Sequence, residues 1–241
     1  MTGIGQPMTE MSRTIARTSD PRFGPEWHAA LDAATRTELV GALLSRFNHD
    51  LRTPLNTILG WTHLLQKGGF DSERAKHVAD VIGRNARDQT QMLEEFVDDG
   101  RVLLGALELQ LAQVRIDEMV TQAIDRAGAA LTLHGVFLKS TLDAESVSLN
   151  ADARRIGRLV YRMLMVVTRR ARESSTIELE TEIDHGAYLL SISSMASEPE
   201  WSDAALLELR ISTLVAALHK GELHVGPDPT RPCIQLKLPT Q

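Results

Sequence analysis

Two runs of apolar residues at helical spacing, separated by a pair of glycines, constrain the fold of this chain most strongly. Both runs repeat every three or four residues, which is the pattern of one apolar face on an α-helix. The first run consists of Val40, Leu44, Phe47, Leu51, Leu55, Ile58, Thr62 and Leu65. The second consists of Ala75, Val78, Ile82, Asn85, Gln89, Leu93 and Phe96. The sequence therefore predicts two long helices, with helical pattern starting near Trp27.

The connection between the two runs predicts an antiparallel hairpin. Gly68-Gly69 is typical of a helix C-terminus, and Asp71 and Ser72 are both good N-cap residues for the helix that follows. One hairpin cannot bury both apolar faces, whereas two copies would complete a four-helix bundle. We therefore expect a homodimer.

After about Leu109 the sequence alternates strand patterns with helix patterns. The predicted strands are residues 113–116, 136–138, 146–149, 176–180, 188–192, 222–225 and 234–238. The predicted helices are residues 117–130, 154–172 and 203–219. This alternation is typical of an α/β sandwich with helices on one face of a mixed sheet. The expected fold class is α+β, with a mobile tail at 1–24, a helical hairpin at 25–108 and the sandwich domain at 109–241.

Composition excludes several other classes of protein. The formal net charge is −6, whereas binding to nucleic acid or to anionic lipid requires a basic surface. Cys233 is the only cysteine, so the chain forms no internal disulfide and no cysteine zinc cluster. No apolar run reaches the ~18 residues of a membrane span, and no leader pattern opens the chain. We expect a cytoplasmic protein that contacts neither membrane nor nucleic acid.

The segment Phe47–Leu55 places a histidine on the solvent side of the first helix. At about 100° per residue, His49 points roughly 160° away from the apolar face. Asp50 is its neighbour, and Thr53 lies one turn further on the same exposed side. A neutral imidazole nitrogen is a nucleophile, an adjacent carboxylate can hold its tautomer and take its proton, and a hydroxyl can position a water. The arrangement is suited to accepting a phosphoryl group.

This segment resembles the phosphoacceptor box of bacterial sensor histidine kinases. The resemblance continues through residues 56–65, Gly68-Gly69, residues 82–86 and residues 105–109, and covers about Glu38 to Leu238. It implies a dimerisation and phosphotransfer hairpin followed by a degenerate domain of the histidine-kinase ATPase type. By this resemblance His49 is the phosphoacceptor, Asp50 assists the transfer, and Thr53 matches the position linked to phosphatase activity towards a receiver domain.

The exposed helix face below His49 is the predicted docking surface for a response-regulator receiver domain. An apolar side chain on a solvated face, here Leu59, commonly marks a contact. The predicted docking residues are Arg52, Asn56, Leu59, Gly60 and His63.

A kinase of this family holds Mg²⁺–ATP with groups that this sequence lacks. At two asparagine positions of the nucleotide-binding helix the sequence has Arg162 and Val166, and Val has no lone pair for Mg²⁺. The other replacements, at positions where the family has an aspartate or glycines, are Ser194, Ala196, Glu198, Leu206 and Glu208. We therefore expect no nucleotide cofactor and no metal of this chain's own, the Mg²⁺ for transfer being supplied by the receiver domain.

Three functions remain open at this point. The preferred one is a phosphohistidine relay through His49, to or from a receiver aspartate, without ATP. The second is a non-catalytic pseudokinase regulator, although an inert chain would have no chemical need for His49, Asp50 and Thr53. The third is an active ATP-dependent histidine kinase, which rests on overall resemblance alone. Whether the chain is an enzyme is left open, with phosphotransferase preferred over autokinase.

The remaining polar side chains of the second half are interpreted as surface residues. His185, His219 and His224 lack metal-ligand spacing. The arginines of residues 154–172 are interpreted as a solvated helix face, and Trp201 as a plug for the space that nucleotide and lid would fill.

Overall fold

The computed structural model describes residues 31–143, 147–196, 200–228 and 230–240. Residues Asp32–Leu107 form one compact unit, and the described residues from Glu108 onward belong to a second. The predicted tail at residues 1–24 and the predicted helix start near Trp27 lie outside the described residues. No helix in the described ranges is long and apolar enough to cross a membrane.

The first unit is a hairpin of two long helices, α1 (Ala33–Lys67) and α2 (Ser72–Leu103). The amide of Gly68 donates to the carbonyl of Leu65 at the end of α1. The Asp71 carboxylate caps α2 by accepting from the amide of Arg74 at 2.8 Å. The predicted loop and the predicted Asp71 cap are thereby confirmed.

The two helices pack through only part of each apolar stripe. Phe47 stacks on Phe96 with ring centroids 4.1 Å apart, and the Gln89 side-chain amide donates to the Leu51 carbonyl at 3.4 Å. By contrast, Leu44 is 51% exposed and Leu93 is 52% exposed in the single chain. One hairpin therefore leaves an apolar surface uncovered, which is the condition on which the dimer prediction rests.

Within the described residues, the second unit combines a five-stranded mixed sheet with three helices. Its elements are β1 (Ala112–Arg115), α3 (Ile116–Leu133), β2 (Phe137–Thr141), β3 (Ser148–Ala151), α4 (Ala153–Arg170), β4 (Thr176–Asp184), β5 (Ala187–Ser193), α5 (Asp203–Leu218), β6 (Glu222–Val225) and β7 (Cys233–Pro239). The sheet order is β2-β4-β5-β7-β6, in which only β2 and β4 are parallel. Strands β1 and β3 form a separate antiparallel pair.

Apolar residues at alternate positions of the central strands form the core of this unit. Leu179, Leu190, Ile192 and Leu236 are all inaccessible to solvent, as expected for a sheet face covered by helices. The turn between β4 and β5 places His185 and Gly186 at positive φ, 48° and 77°, which is the geometry of a tight hairpin turn. The predicted helical hairpin followed by an α/β sheet domain is confirmed.

The structure corrects several sequence-based details. Ile116, predicted to end a strand, begins α3 and is 1% exposed. Helix α4 ends at Arg170, two residues before the predicted end. Ser146, the predicted first residue of β3, lies outside the described residues. The surface interpretation is wrong for His219 and His224, because both are buried and hydrogen-bonded inside the second unit.

Candidate functional site

His49 lies on the outer face of α1, and its side chain is 83% exposed. Two residues earlier, Phe47 turns inward and stacks on Phe96 of α2. This contact fixes the rotation of α1, and the helical repeat then directs His49 to solvent. The predicted exposure of His49 is confirmed, and a partner protein can reach its ring.

Asp50 contacts His49 through one carboxylate oxygen. The Oδ1 atom of Asp50 lies 3.3 Å from Nδ1 of His49. In a neutral ring this contact favours a proton on Nδ1, since a carboxylate accepts, and it leaves the lone pair on Nε2. The pairing therefore makes Nε2 the nucleophilic nitrogen of the ring.

The second carboxylate oxygen of Asp50 contacts Arg46, a residue that the sequence analysis missed. Nε of Arg46 lies 3.4 Å from Oδ2 of Asp50. The available signal was the spacing of four residues between opposite charges, which places them side by side on a helix. Arg46, His49 and Asp50 thus form a contact chain along one side of α1.

Thr53 lies one turn beyond His49 and is exposed, as predicted. Its backbone carbonyl accepts a hydrogen bond from the Thr57 hydroxyl at 3.1 Å. The next residue, Pro54, is buried, and α1 continues through it without a break. Thr53 is therefore available to a bound partner, and its role in positioning water stays a prediction.

The predicted docking residues share the solvent side of α1. Leu59 is 57% exposed, and a Cβ added at Gly60 would meet no atom within 4 Å, so the backbone there is open to a partner. The other exposed members are Arg52, Asn56 and His63. The structure places these residues on one side of α1, and docking of a receiver domain there stays a prediction.

In the second unit, an ion pair links α4 to α5. It involves one of the positions at which the sequence predicts a missing nucleotide-binding residue. The carboxylate of Glu208 is buried in α5 and forms an ion pair with Arg169 at the end of α4. The guanidinium of Arg170 lies 3.9 Å above the centre of the Trp201 ring. The interpretation of these arginines as a solvated face is therefore wrong for Arg170, which is buried.

Several of the positions predicted to have lost nucleotide ligands are buried. Val166 on α4 is 1% exposed, and Ser194, just after β5, is also buried. Glu198 lies outside the described residues. Within the described ranges no three His, Cys, Asp or Glu side chains are grouped as metal ligands.

Comparison with known proteins matches the hairpin to a named domain. Residues 40–105 match the His Kinase A (phospho-acceptor) domain. The chain is 23% identical over 165 residues to the sensor protein DivL of Caulobacter vibrioides, covering 68% of this chain and 21% of DivL. It is 23% identical over 151 residues to the cell-division control histidine kinase PdhS of Brucella anthropi, covering 61% of this chain and 14% of PdhS. The chain thus spans about a fifth or less of the length of these relatives.

Solved histidine kinase structures share the fold. The histidine kinase AdeS of Acinetobacter baumannii superposes with a TM-score of 0.57 at 15% identity, over 80% of this chain and 98% of AdeS. Full-length ShkA in complex with AMPPNP gives a TM-score of 0.55 at 20% identity, over 83% of this chain and 45% of ShkA. These similarities extend across both the hairpin and the sheet unit.

Proposed function

Because the chain belongs to the sensor histidine kinase family, we propose that it is a histidine phosphotransfer protein that exchanges a phosphoryl group between His49 and a receiver-domain aspartate. The observation that carries the proposal is the exposed His49 ring with Nδ1 against the Asp50 carboxylate. A phosphoryl acceptor needs a reachable nitrogen with a free lone pair, and this geometry supplies one at Nε2.

The bonds, electrons and protons of the phosphoryl transfer balance without any group from a nucleotide. The Nε2 lone pair of His49 forms a P–N bond, and the P–O bond of the receiver's aspartyl phosphate breaks with its electron pair returning to that carboxylate. The Nδ1 proton stays on the ring, where the Asp50 carboxylate stabilises the positive charge that develops. The receiver domain supplies Mg²⁺ to neutralise the phosphoryl oxygens, and this chain contributes no metal of its own. The reverse reaction uses the same groups.

Autophosphorylation from ATP is not part of the proposed function. Val166 offers no ligand atom to Mg²⁺, and Glu208 places a buried carboxylate where the family resemblance expects glycine. The negative charges of a carboxylate and a nearby triphosphate repel each other strongly in a medium of low dielectric constant. The replaced positions also suit the second candidate, a regulator that binds a kinase or receiver without carrying phosphate.

Dimerisation through the hairpin completes the proposal. Leu44, Leu55 and Leu93 are each more than two-fifths exposed in one chain, and a second hairpin placed on them would form a four-helix bundle. Each dimer would present two His49 side chains to two receiver domains.

The direct test follows labelled phosphate from a phosphorylated receiver domain to this protein. We expect the wild-type chain to acquire label and His49→Gln to acquire none, while the dimer persists because the His49 side chain lies outside the core. His185→Gln is the matched control, since His185 is similarly exposed but lies in the other unit. Label passing through the His49→Gln protein would contradict phosphotransfer and favour the non-catalytic regulator.

A further inference from the structure

The contact chain of Arg46, Asp50 and His49 on α1 extends the candidate site by one residue, Arg46. We propose that Arg46 is a positioning residue for phosphotransfer: it holds the Asp50 carboxylate in the orientation that keeps the proton of His49 on Nδ1 and makes Nε2 the atom that bonds to phosphorus. The effect expected on the rate of phosphate transfer rests on the proposed function. Its structural part concerns the unphosphorylated protein alone.

The contact distances carry the argument. Asp50 uses both carboxylate oxygens, Oδ1 towards Nδ1 of His49 at 3.3 Å and Oδ2 towards Nε of Arg46 at 3.4 Å. Side-chain exposure decreases along this series of contacts, from 83% for His49 to 42% for Asp50 and 33% for Arg46. Arg46 is thus the least exposed member, at the end of the contact chain away from the reacting ring.

An adjacent carboxylate on a helix needs a second contact to hold this orientation. Asp50 follows His49 directly in sequence, and neighbouring side chains on a helix diverge by about 100°. Asp50 reaches the ring only in a restricted set of side-chain rotamers, and a half-exposed carboxylate otherwise samples several of them. Arg46 lies four residues before Asp50, the spacing at which opposite charges meet on a helix. Its guanidinium therefore selects the rotamer that also serves His49.

The chemical consequence follows from the tautomer. With the proton on Nδ1, the Nε2 lone pair is free to attack phosphorus, and the ring proton faces a carboxylate as positive charge develops. With the proton on Nε2, the exposed nitrogen has no lone pair and the reaction must wait for tautomer exchange. Arg46 contacts neither the ring nor the phosphoryl group in this scheme, and it acts through Asp50.

The experiment compares Arg46→Gln and Arg46→Lys with the wild-type chain, and uses Arg101→Gln as a control. Arg101 is an exposed arginine in the last turn of α2, so that variant makes the same charge change on the same unit. The first readout is the ¹⁵N NMR spectrum of the His49 imidazole, assigned by its disappearance in His49→Gln. The second is the rate of phosphate transfer from a labelled receiver domain.

We expect Arg46→Gln to lower the fraction of His49 with its proton on Nδ1 and to slow transfer by about two- to fivefold, the range for a partly exposed ion pair. Arg46→Lys should recover most of both losses because it restores the positive charge, and Arg101→Gln should match wild type. An unchanged His49 spectrum in Arg46→Gln would overturn the proposal, whatever the rate. If no variant or wild type accepts phosphate while the spectrum shifts as stated, the proposed function fails and the positioning of Asp50 by Arg46 stands.

Discussion

His219, at the end of α5, is buried with both ring nitrogens hydrogen-bonded. Its Nδ1–H donates to the Val215 carbonyl at 2.8 Å, and its Nε2 accepts from the amide of Asp152 at 3.2 Å. Burial lowers the pKa of His219 below its ordinary value of 6.5, although the Val215 contact opposes the shift. The neutral ring is the form that satisfies both partners, because a protonated ring cannot accept.

This histidine makes the stability of the second unit sensitive to acid. The unfolded chain takes up a proton at His219 as the pH falls through about 6.5, whereas the folded chain resists protonation. The contribution of neutral His219 to the free energy of unfolding is therefore complete above that pH. It is lost as the pH falls towards the lowered pKa of His219 in the folded chain. Between about pH 7.5 and pH 5.5, we expect the free energy of unfolding to decrease more in wild type than in His219→Gln, which lacks this titration. Denaturant unfolding measures the difference, and parallel pH curves for the two proteins would contradict it.

At the scale of single residues, the sequence predicts what depends on local periodicity. The exposure of His49 follows from its angle to Phe47 and Leu51 on one helix. The burial of His219 does not, because its Nε2 accepts from Asp152, which lies 67 positions earlier in the chain. Arg46 was within reach of a local rule but was not identified.

At the scale of elements, Arg169 and Glu208 hold α4 to α5 by an ion pair of unequal exposure. The Glu208 side chain is 7% exposed, whereas that of Arg169 is 39% exposed. We expect Glu208→Gln to lower the free energy of unfolding by about 1–2 kcal/mol, less than for a fully buried pair because Arg169 can turn to solvent. The matched control is Glu178→Gln, whose pair with Arg231 is about half exposed on both sides and should contribute under about 1 kcal/mol. Equal losses in the two variants, measured by denaturant unfolding, would contradict this account.

The elements themselves were predicted well where the signal is local, and less well where partners are distant. The β6 bounds agree fully, at Glu222–Val225, and β4 and β5 were each found but extend further than predicted. The basic run of α4 has the sequence pattern of a solvated face. Its last turn departs from that pattern because Trp201 and Glu208 come from the segment that follows β5, and no periodicity within α4 records them.

At the scale of the whole molecule, the uncovered apolar stripe predicts a dimer. Light scattering should give a mass of about twice 26.6 kDa. Leu93→Asp should produce monomers, since a carboxylate buried without a partner in a bundle core costs several kcal/mol. Leu133→Asp is the control, because Leu133 is 85% exposed in the sheet unit and the dimer should persist. A wild-type chain that stays monomeric at micromolar concentration would contradict the four-helix bundle.

The overall architecture was predictable because its determinants are long and repetitive. Two stripes and a glycine loop specify the hairpin, and alternating strands and helices specify the sheet unit. The side-chain contacts of the second unit were harder to predict from the sequence. Replaced ligand positions such as Val166 and Ser194 show which nucleotide ligands are missing, but they do not show which side chains occupy that region. Only the folded chain shows Arg170 stacked on Trp201.

The most direct test of the central claim compares two phosphate donors on the same protein. Wild-type chain is incubated with γ-labelled ATP and Mg²⁺ in one reaction and with a labelled phosphorylated receiver domain in another, and label on the protein is measured in both. The account predicts label from the receiver, lost in His49→Gln, and none from ATP. Label acquired from ATP alone would contradict it and would establish an active histidine kinase.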